Sequence, residues 1–184
     1  MRRVCLFIAM SLDGCIADRA GGVDWLQGCG PEGEPVDAYE EFIAQVDTIL
    51  MGWNTYHQIV TELSPQAWVY EGRMTYVLTH RPMADTEQIC FTNQAPAELV
   101  RRLRMQPGQD IWICGGASLV QQLMQEDLID RYIITLVPLV LGGGIRLFGE
   151  MEQAIPLRLI RSRICQGMTE LTCERRLSKE PGER

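Results

Sequence analysis

The stretch Ile111-Trp112-Ile113-Cys114-Gly115-Gly116-Ala117-Ser118-Leu119-Val120 decides how this chain is read. An apolar run stops abruptly at two glycines, and a helical pattern starts at once. Removing two Cβ atoms lets the backbone approach another group closely, and free N–H groups at a helix start favour an anion. A strand–glycine–helix junction of this kind is the build of a dinucleotide phosphate site at the end of a parallel strand. A Gly-Gly pair also serves as an ordinary tight turn, so the reading rests on the segments around it.

Working outward, four apolar runs read as buried strands: Val4–Met10, Thr48–Met51, Met74–Thr79 and Asp110–Cys114. They are apolar on both faces, as the centre of a largely parallel sheet requires. Helical patterns lie between them. Over Val36–Val46, residues Val36, Tyr39, Phe42, Ile43 and Val46 fall on one side of a helical wheel. Pro96 suits the first turn of a helix carrying Leu99, Val100 and Leu103, and Leu119, Val120, Leu123 and Met124 continue a third helix. A strand at Tyr132–Val137 is broken by Pro138 and the loop Leu141-Gly142-Gly143-Gly144. Leu157–Cys165 and Met168–Leu177 then alternate around Gln166-Gly167, an antiparallel hairpin closing the sheet. The pattern predicts α/β with a central mixed, mostly parallel sheet. It also predicts one domain over residues 1–177 and a flexible tail over 178–184.

With 184 residues, 46% of them hydrophobic, the chain can bury a substantial core. Its net charge of −7 argues against broad phosphate-backbone binding, so no nucleic-acid partner is expected. No segment is long enough to span a bilayer. Val4–Met10 behind Arg2-Arg3 leads into Ser11-Leu12-Asp13-Gly14 and not a cleavage site, so it reads as a strand and not an export signal. Seven scattered cysteines without a Cys-x-x-Cys pair suit free thiols in a reducing cytoplasm. Two histidines and no ligand-spaced cysteines predict no metal site.

Further stretches extend the pattern: Ala9-Met10-Ser11-Leu12-Asp13-Gly14-Cys15-Ile16-Ala17, Val23-Asp24-Trp25-Leu26, and Asp47-Thr48-Ile49-Leu50-Met51-Gly52-Trp53-Asn54-Thr55-Tyr56. Val77-Leu78-Thr79-His80-Arg81-Pro82 and Pro138-Leu139-Val140-Leu141-Gly142-Gly143-Gly144-Ile145-Arg146-Leu147-Phe148 follow in order. Together with Cys114-Gly115-Gly116, they resemble the dihydrofolate reductase superfamily. The branch is the one containing the C-terminal reductase domain of the bifunctional riboflavin-biosynthesis deaminase-reductase. The resemblance covers nearly the whole chain and implies a dihydrofolate reductase-like three-layer sandwich, NADPH as hydride donor, a small heterocyclic substrate and a homodimer. It places cofactor contacts on Ala9, Ile16, Gly52, Trp53, Asn54, Thr55, Thr79, His80, Arg81, Gly115, Gly116, Ala117, Ser118 and Leu119. A cis peptide at Gly115–Gly116 is also implied. In one departure, Trp53 stands where the family usually has arginine, so NADPH-over-NADH selectivity rests on His80 and Arg81.

Hydride transfer usually also needs a proton delivered beside the reduced carbon. Registering Phe42 as a substrate-facing phenylalanine puts Ala38 where dihydrofolate reductases carry an acid. Glu40, bordering the apolar helix face, and Asp24, beside Trp25, are the remaining candidates. Trp25 and Phe42 either wall a flat heterocycle or belong to the core. Asp13 with Gly14 shapes a loop or contacts a ribose hydroxyl, and Gly142–Gly144 with Arg146 serves substrate, cofactor or dimer packing. No His-x-Glu plus Pro-Cys-x-x-Cys zinc signature of a companion deaminase is present. The leading expectation is an NADPH-dependent reductase acting on a carbonyl or imine of a pyrimidine or pterin-type ring. A dihydrofolate or dihydropteridine reductase and a catalytically silent nucleotide-binding protein stay open beside it.

Overall fold

The apolar runs line up as one sheet because each can bury both faces. The computed structural model describes residues 1–26 and 38–176, and the expected 178–184 tail and the start of the 36–46 helix lie outside them. Among the described residues ten strands form: β1 (Val4–Ser11), β2 (Cys15–Ala17), β3 (Val46–Gly52), β4 (Met74–Leu78), β5 (Ile89–Thr92), β6 (Asp110–Gly115), β7 (Arg131–Val137), β8 (Ile145–Arg146), β9 (Leu157–Cys165) and β10 (Met168–Arg175). Eight of them make the main sheet in the order β5-β4-β3-β6-β1-β7-β10-β9, and β2 pairs separately with β8. β5 through β7 run parallel, whereas β10 is antiparallel to both β7 and β9.

Alternation along the strands divides the core in two. Val4, Leu6, Leu50, Ile111 and Ile113 pack towards α3 (Pro96–Arg104) and α4 (Ala117–Gln125). Cys5, Ile49, Met51 and Trp112 face the other way, towards α1 (Ala38–Ile43) and the π-helical turn Ile59–Leu63 that follows α2 (Trp53–Gln58). The result is the three-layer sandwich. Each fully buried Leu or Ile contributes about 1.5–3 kcal/mol.

The first helix is shorter than its apolar wheel predicts. Ala44 and Gln45 close it by bonding back to Glu40 and Phe42 carbonyls, and Val46 opens β3 two residues before the expected start. Bonds from distant segments meet here: Arg73 donates to the Ile43 carbonyl that ends the helix. Arg2 is only 7% exposed, and its guanidinium bonds Asp47, Thr48 Oγ1 at 2.6 Å and the Gln109 carbonyl at 2.7 Å. This anchors Asp47 and Thr48 beside the start of β1.

At the other end of β1, a carboxylate joins two loops. Asp13 accepts the Ser11 hydroxyl at 2.6 Å and the N–H groups of Leu141 and Gly142 at 3.1 and 2.9 Å. Those bonds, the Ser11 hydroxyl first, hold its carboxyl below the ordinary aspartate range. Asp13 is thus a loop-shaping residue. Gly144 lies at φ +156°, where an added Cβ would sit 2.2 Å from the Ala17 carbonyl, so β8 reaches β2 only because this side chain is absent.

The closing hairpin turns through Gln166 and Gly167, both at positive φ as a two-residue type I′ turn requires. One extra residue, Ile160, bulges from β9 between the Cys173–Leu159 and Thr172–Arg161 pairs. Leu157, Leu159 and Ile164 therefore share one face, while Arg158, Arg161 and Arg163 share the other opposite Glu174, Thr172 and Glu170.

Two measurements follow. Gly144→Ala should lower unfolding stability by about 2 kcal/mol, whereas Gly142→Ala, with open space at its Cβ, should cost less; equal losses in urea titrations would refute the close approach. Asp13 is held deprotonated in the fold, so its contribution is present above its unfolded pKa and lost as pH falls through the lower folded value. The stability difference between wild type and Asp13→Asn should be full at pH 7 and vanish on acidification below the ordinary value of 3.8.

Candidate active site

Because β4, β3 and β6 are adjacent and parallel, their carboxyl ends bring three junctions side by side. Gly52 enters α2, Thr79 starts a loop after β4, and Gly115–Gly116 enters α4. The Gly115–Gly116 peptide is cis, and Gly115 lies at φ +137°. A Cβ at 115 or 116 would stand 3.7 or 3.4 Å from Thr55 Oγ1, so the glycine backbone lies directly against the first turn of α2. Neither helix start is capped by a side chain. Leu119 and Val120 donate to the Gly116 carbonyl, while the earlier N–H groups of α4 have no partner within the helix.

The third junction supplies positive charge. The Arg81 guanidinium lies 4.8 Å from the Trp53 ring centroid, and the Arg81 N–H bonds Thr79 Oγ1 at 3.1 Å. Thr79 itself donates to the Thr92 carbonyl at 2.8 Å. An exposed cation–π contact of this kind contributes about 0.5–1 kcal/mol, enough to bias where the arginine rests. His80, Asn54 and Ser118 are exposed around the same rim, and Ala9 and Ile16 are half-buried at its base. Leu119 turns into the core, and Ala117 is buried beside it. A bare glycine cradle, two uncapped helix starts and a held guanidinium fit the phosphates of a dinucleotide.

On the α1 side the strand ends carry aromatic rings. Phe42 is 6% exposed, stacked on Phe7 at 4.5 Å and edge-on to Trp112 at 5.6 Å, so it lies in the core. Trp25 donates its indole N–H to the Gly22 carbonyl at 3.2 Å. Among the described residues no ring contact joins it to Phe42. Glu40 and Asp24 are both exposed.

Three residues here escaped sequence reasoning as site candidates: Tyr39, Tyr70 and Cys114. The Tyr70 hydroxyl lies 3.6 Å from the Cys114 sulfur. Enclosure raises the thiol to about 11 against the pull of that bond, and raises Tyr70 too. Tyr39 carried a signal only as a helix-face apolar residue, and Tyr70 none. A separate groove of about 710 Å³, lined by Met124, Asp127, Pro156 and Arg175 among others, lies at the amino-terminal end of the sheet, away from these junctions.

Comparison with known proteins agrees with this geometry. Residues 2–171 match the RibD C-terminal domain family. The chain is 42% identical to the uncharacterized protein YwjB of Bacillus subtilis (strain 168) over 159 residues, covering 86% of this chain and 89% of that one. A putative riboflavin biosynthesis protein from Shewanella sp. PV-4 superposes with a TM-score of 0.81 at 31% identity, covering 95% of this chain and 99% of the other. Dihydrofolate reductase from Enterococcus faecalis, complexed with NADP(H), shares the fold at a TM-score of 0.63 and 15% identity, covering 94% and 96%. The chain therefore belongs to the RibD C-terminal domain family.

Proposed function

We propose that this protein is an NADPH-dependent reductase transferring hydride to a carbonyl or imine of a pyrimidine or pterin-type ring. The observation that carries the reading is the convergence of Gly52–Thr55, Thr79–Arg81 and Gly115–Leu119 at adjacent strand ends. Gly115, Gly116 and the first turn of α4 would hold the pyrophosphate, with Thr55 across the cradle. Arg81 and His80 would meet the adenosine 2′-phosphate. NADPH bound there would supply the hydride, while the chain orients it and keeps the cleft walls fixed. Trp53 does not replace the missing arginine's charge. Instead it gives Arg81 a flat surface to rest on.

Family membership and the riboflavin-biosynthesis name of the Shewanella protein support the riboflavin-reductase-like branch over a folate reductase. Ala38, at the position where folate reductases carry an acid, points the same way. Glu40 and Asp24 remain the candidate proton donors that the sequence suggests. A homodimer is supported by the uncovered apolar face of β9, where Leu159 is 58% and Ile164 79% exposed. A chain of net charge −7 meets its own copy most readily through a face without acids.

Calorimetric titration of NADPH and NADH tests the reading: tight NADPH and weak NADH binding are expected, and binding of neither would end it. Arg81→Ala should weaken NADPH binding about tenfold or more, the scale of a charge-assisted contact, while barely changing NADH; equal losses would remove Arg81 from the 2′-phosphate. Gly116→Val should fold yet lose NADPH affinity, because its side chain would occupy the cradle against Thr55. Retained affinity in the folded variant would refute the cradle.

A further inference from the structure

We propose that the Tyr39 phenol, backed by Tyr70 and Cys114, is the hydrogen-bonding edge of a pocket that takes an uncharged planar heterocycle. The proposal rests on the reductase reading above and adds what that reading lacks, the groups that meet the substrate.

Position comes first. Cys114 immediately precedes Gly115, so the wall it belongs to adjoins the glycine cradle on the α1 face of the sheet. Trp112 forms the floor at 4% exposure, and its indole N–H is already committed to the Phe7 carbonyl at 3.1 Å. Tyr70 stands edge-on to that floor at 5.2 Å, with its hydroxyl tied to Cys114. Tyr39 packs edgewise against both Phe7 (6.1 Å) and Trp112 (6.2 Å) and is itself 39% exposed. Phe7, Tyr70 and Cys114 also retain surface. The rings therefore share a partly exposed edge, with Tyr39 the most exposed of them.

Chemistry then selects the ligand. Among the described residues, the nearby charges are engaged or face solvent. Asp13 holds the 141–142 loop, Glu41 pairs with Arg163 at 3.5 Å, and Arg73 donates to the Ile43 carbonyl at 3.0 Å. Glu40 lies within electrostatic reach of Tyr39 but is exposed. Among the described residues, the polar groups beside the rings include two phenols and a thiol. Burial raises all three above their ordinary values, so they are neutral at pH 7 and act as donors. A neutral ring carbonyl or imine nitrogen gains a hydrogen bond here. A cationic amidine-like ring would lose its water with no carboxylate fork among the described residues to replace it. Tyr70 acts as a positioning residue: its bond to Cys114 fixes the ring that backs the exposed edge.

The test is equilibrium dialysis of lumazine, a neutral pteridinedione, and of protonated 2,4-diaminopyrimidine at pH 6, each with saturating NADP+. Lumazine should bind at least tenfold more tightly than the diaminopyrimidine. Tyr39→Phe should weaken lumazine about tenfold while leaving NADPH affinity and Tm unchanged. Tyr70→Phe should weaken lumazine and also quicken alkylation of Cys114, a readout that a purely structural ring would not move. Undiminished lumazine binding by Tyr39→Phe, preference for the cation, or no lumazine binding by a wild type that binds NADPH would each overturn the proposal. If Tyr39→Phe does not fold, the wild-type preference between the two ligands decides. Failure of the wild type to bind NADPH at all would instead remove the reductase reading beneath it.

Discussion

The arrangement depends on one constraint: the backbone at the carboxyl end of β6 must lie against the first turn of α2. A Cβ at 115 or 116 would already touch Thr55 Oγ1 at 3.7 or 3.4 Å, so any larger side chain there would press into the first turn of α2. The approach sets the spacing of β3 and β6 at the cleft and aims two helix starts at one place. It also brings the Thr79 loop alongside, since β4 is the next strand over. The cradle, the stacked arginine and the aromatic wall are consequences of where that backbone runs.

The two ends of the sheet are built from different chemistry. At the amino-terminal end, Arg2, Arg3, Arg104 and Arg131 pair with Asp47, Asp110, Asp130 and Glu174. These pairs tie strand starts to one another across long sequence separations. Most are partly exposed, so each adds modest energy and mainly fixes geometry. At the carboxyl-terminal end, β1 and β7 lead into loops joined by a carboxylate accepting backbone N–H groups. Such bonds hold the 12–14 and 139–147 loops together without placing a fixed cation beside the cleft.

Much of this was legible in the residues, for identifiable reasons. Long apolar runs announce central strands because both faces are covered, and Asp110–Cys114 differs from β6 by a single residue. Gln166-Gly167 announces its hairpin because both positions must take positive φ. The strands β2 and β8 went unseen because two or three residues carry no period. Just past the early end of α1, Asp47 is held by Arg2, 45 residues before it, and no local pattern contains that bond. The same holds for the site. The glycine junctions are local and readable, whereas the Arg81–Trp53 stack and the Tyr70–Cys114 contact join distant segments. Periodicity shows which side of a helix is apolar, and that leaves Phe42 open to a wall or to the core in which it is 6% exposed.

The bulge at Ile160 has an effect out of proportion to one residue. On either side of it, β9 counts in opposite parity: its apolar residues are odd-numbered before it and even-numbered after it, and its arginines switch the other way. The extra residue is a phase shift that keeps the whole strand in one oily-or-basic sense. Straightening the strand with every residue kept would pair Ile160 with Cys173 and turn Leu157 and Leu159 to the arginine side and Arg158 to the apolar one, whereas deleting Ile160 would leave every existing pair in place. The strand's two-sided character thus rests on a backbone irregularity as much as on residue identity: the chain carries one residue more than the pairing uses, and the bulge absorbs it without exchanging the two faces.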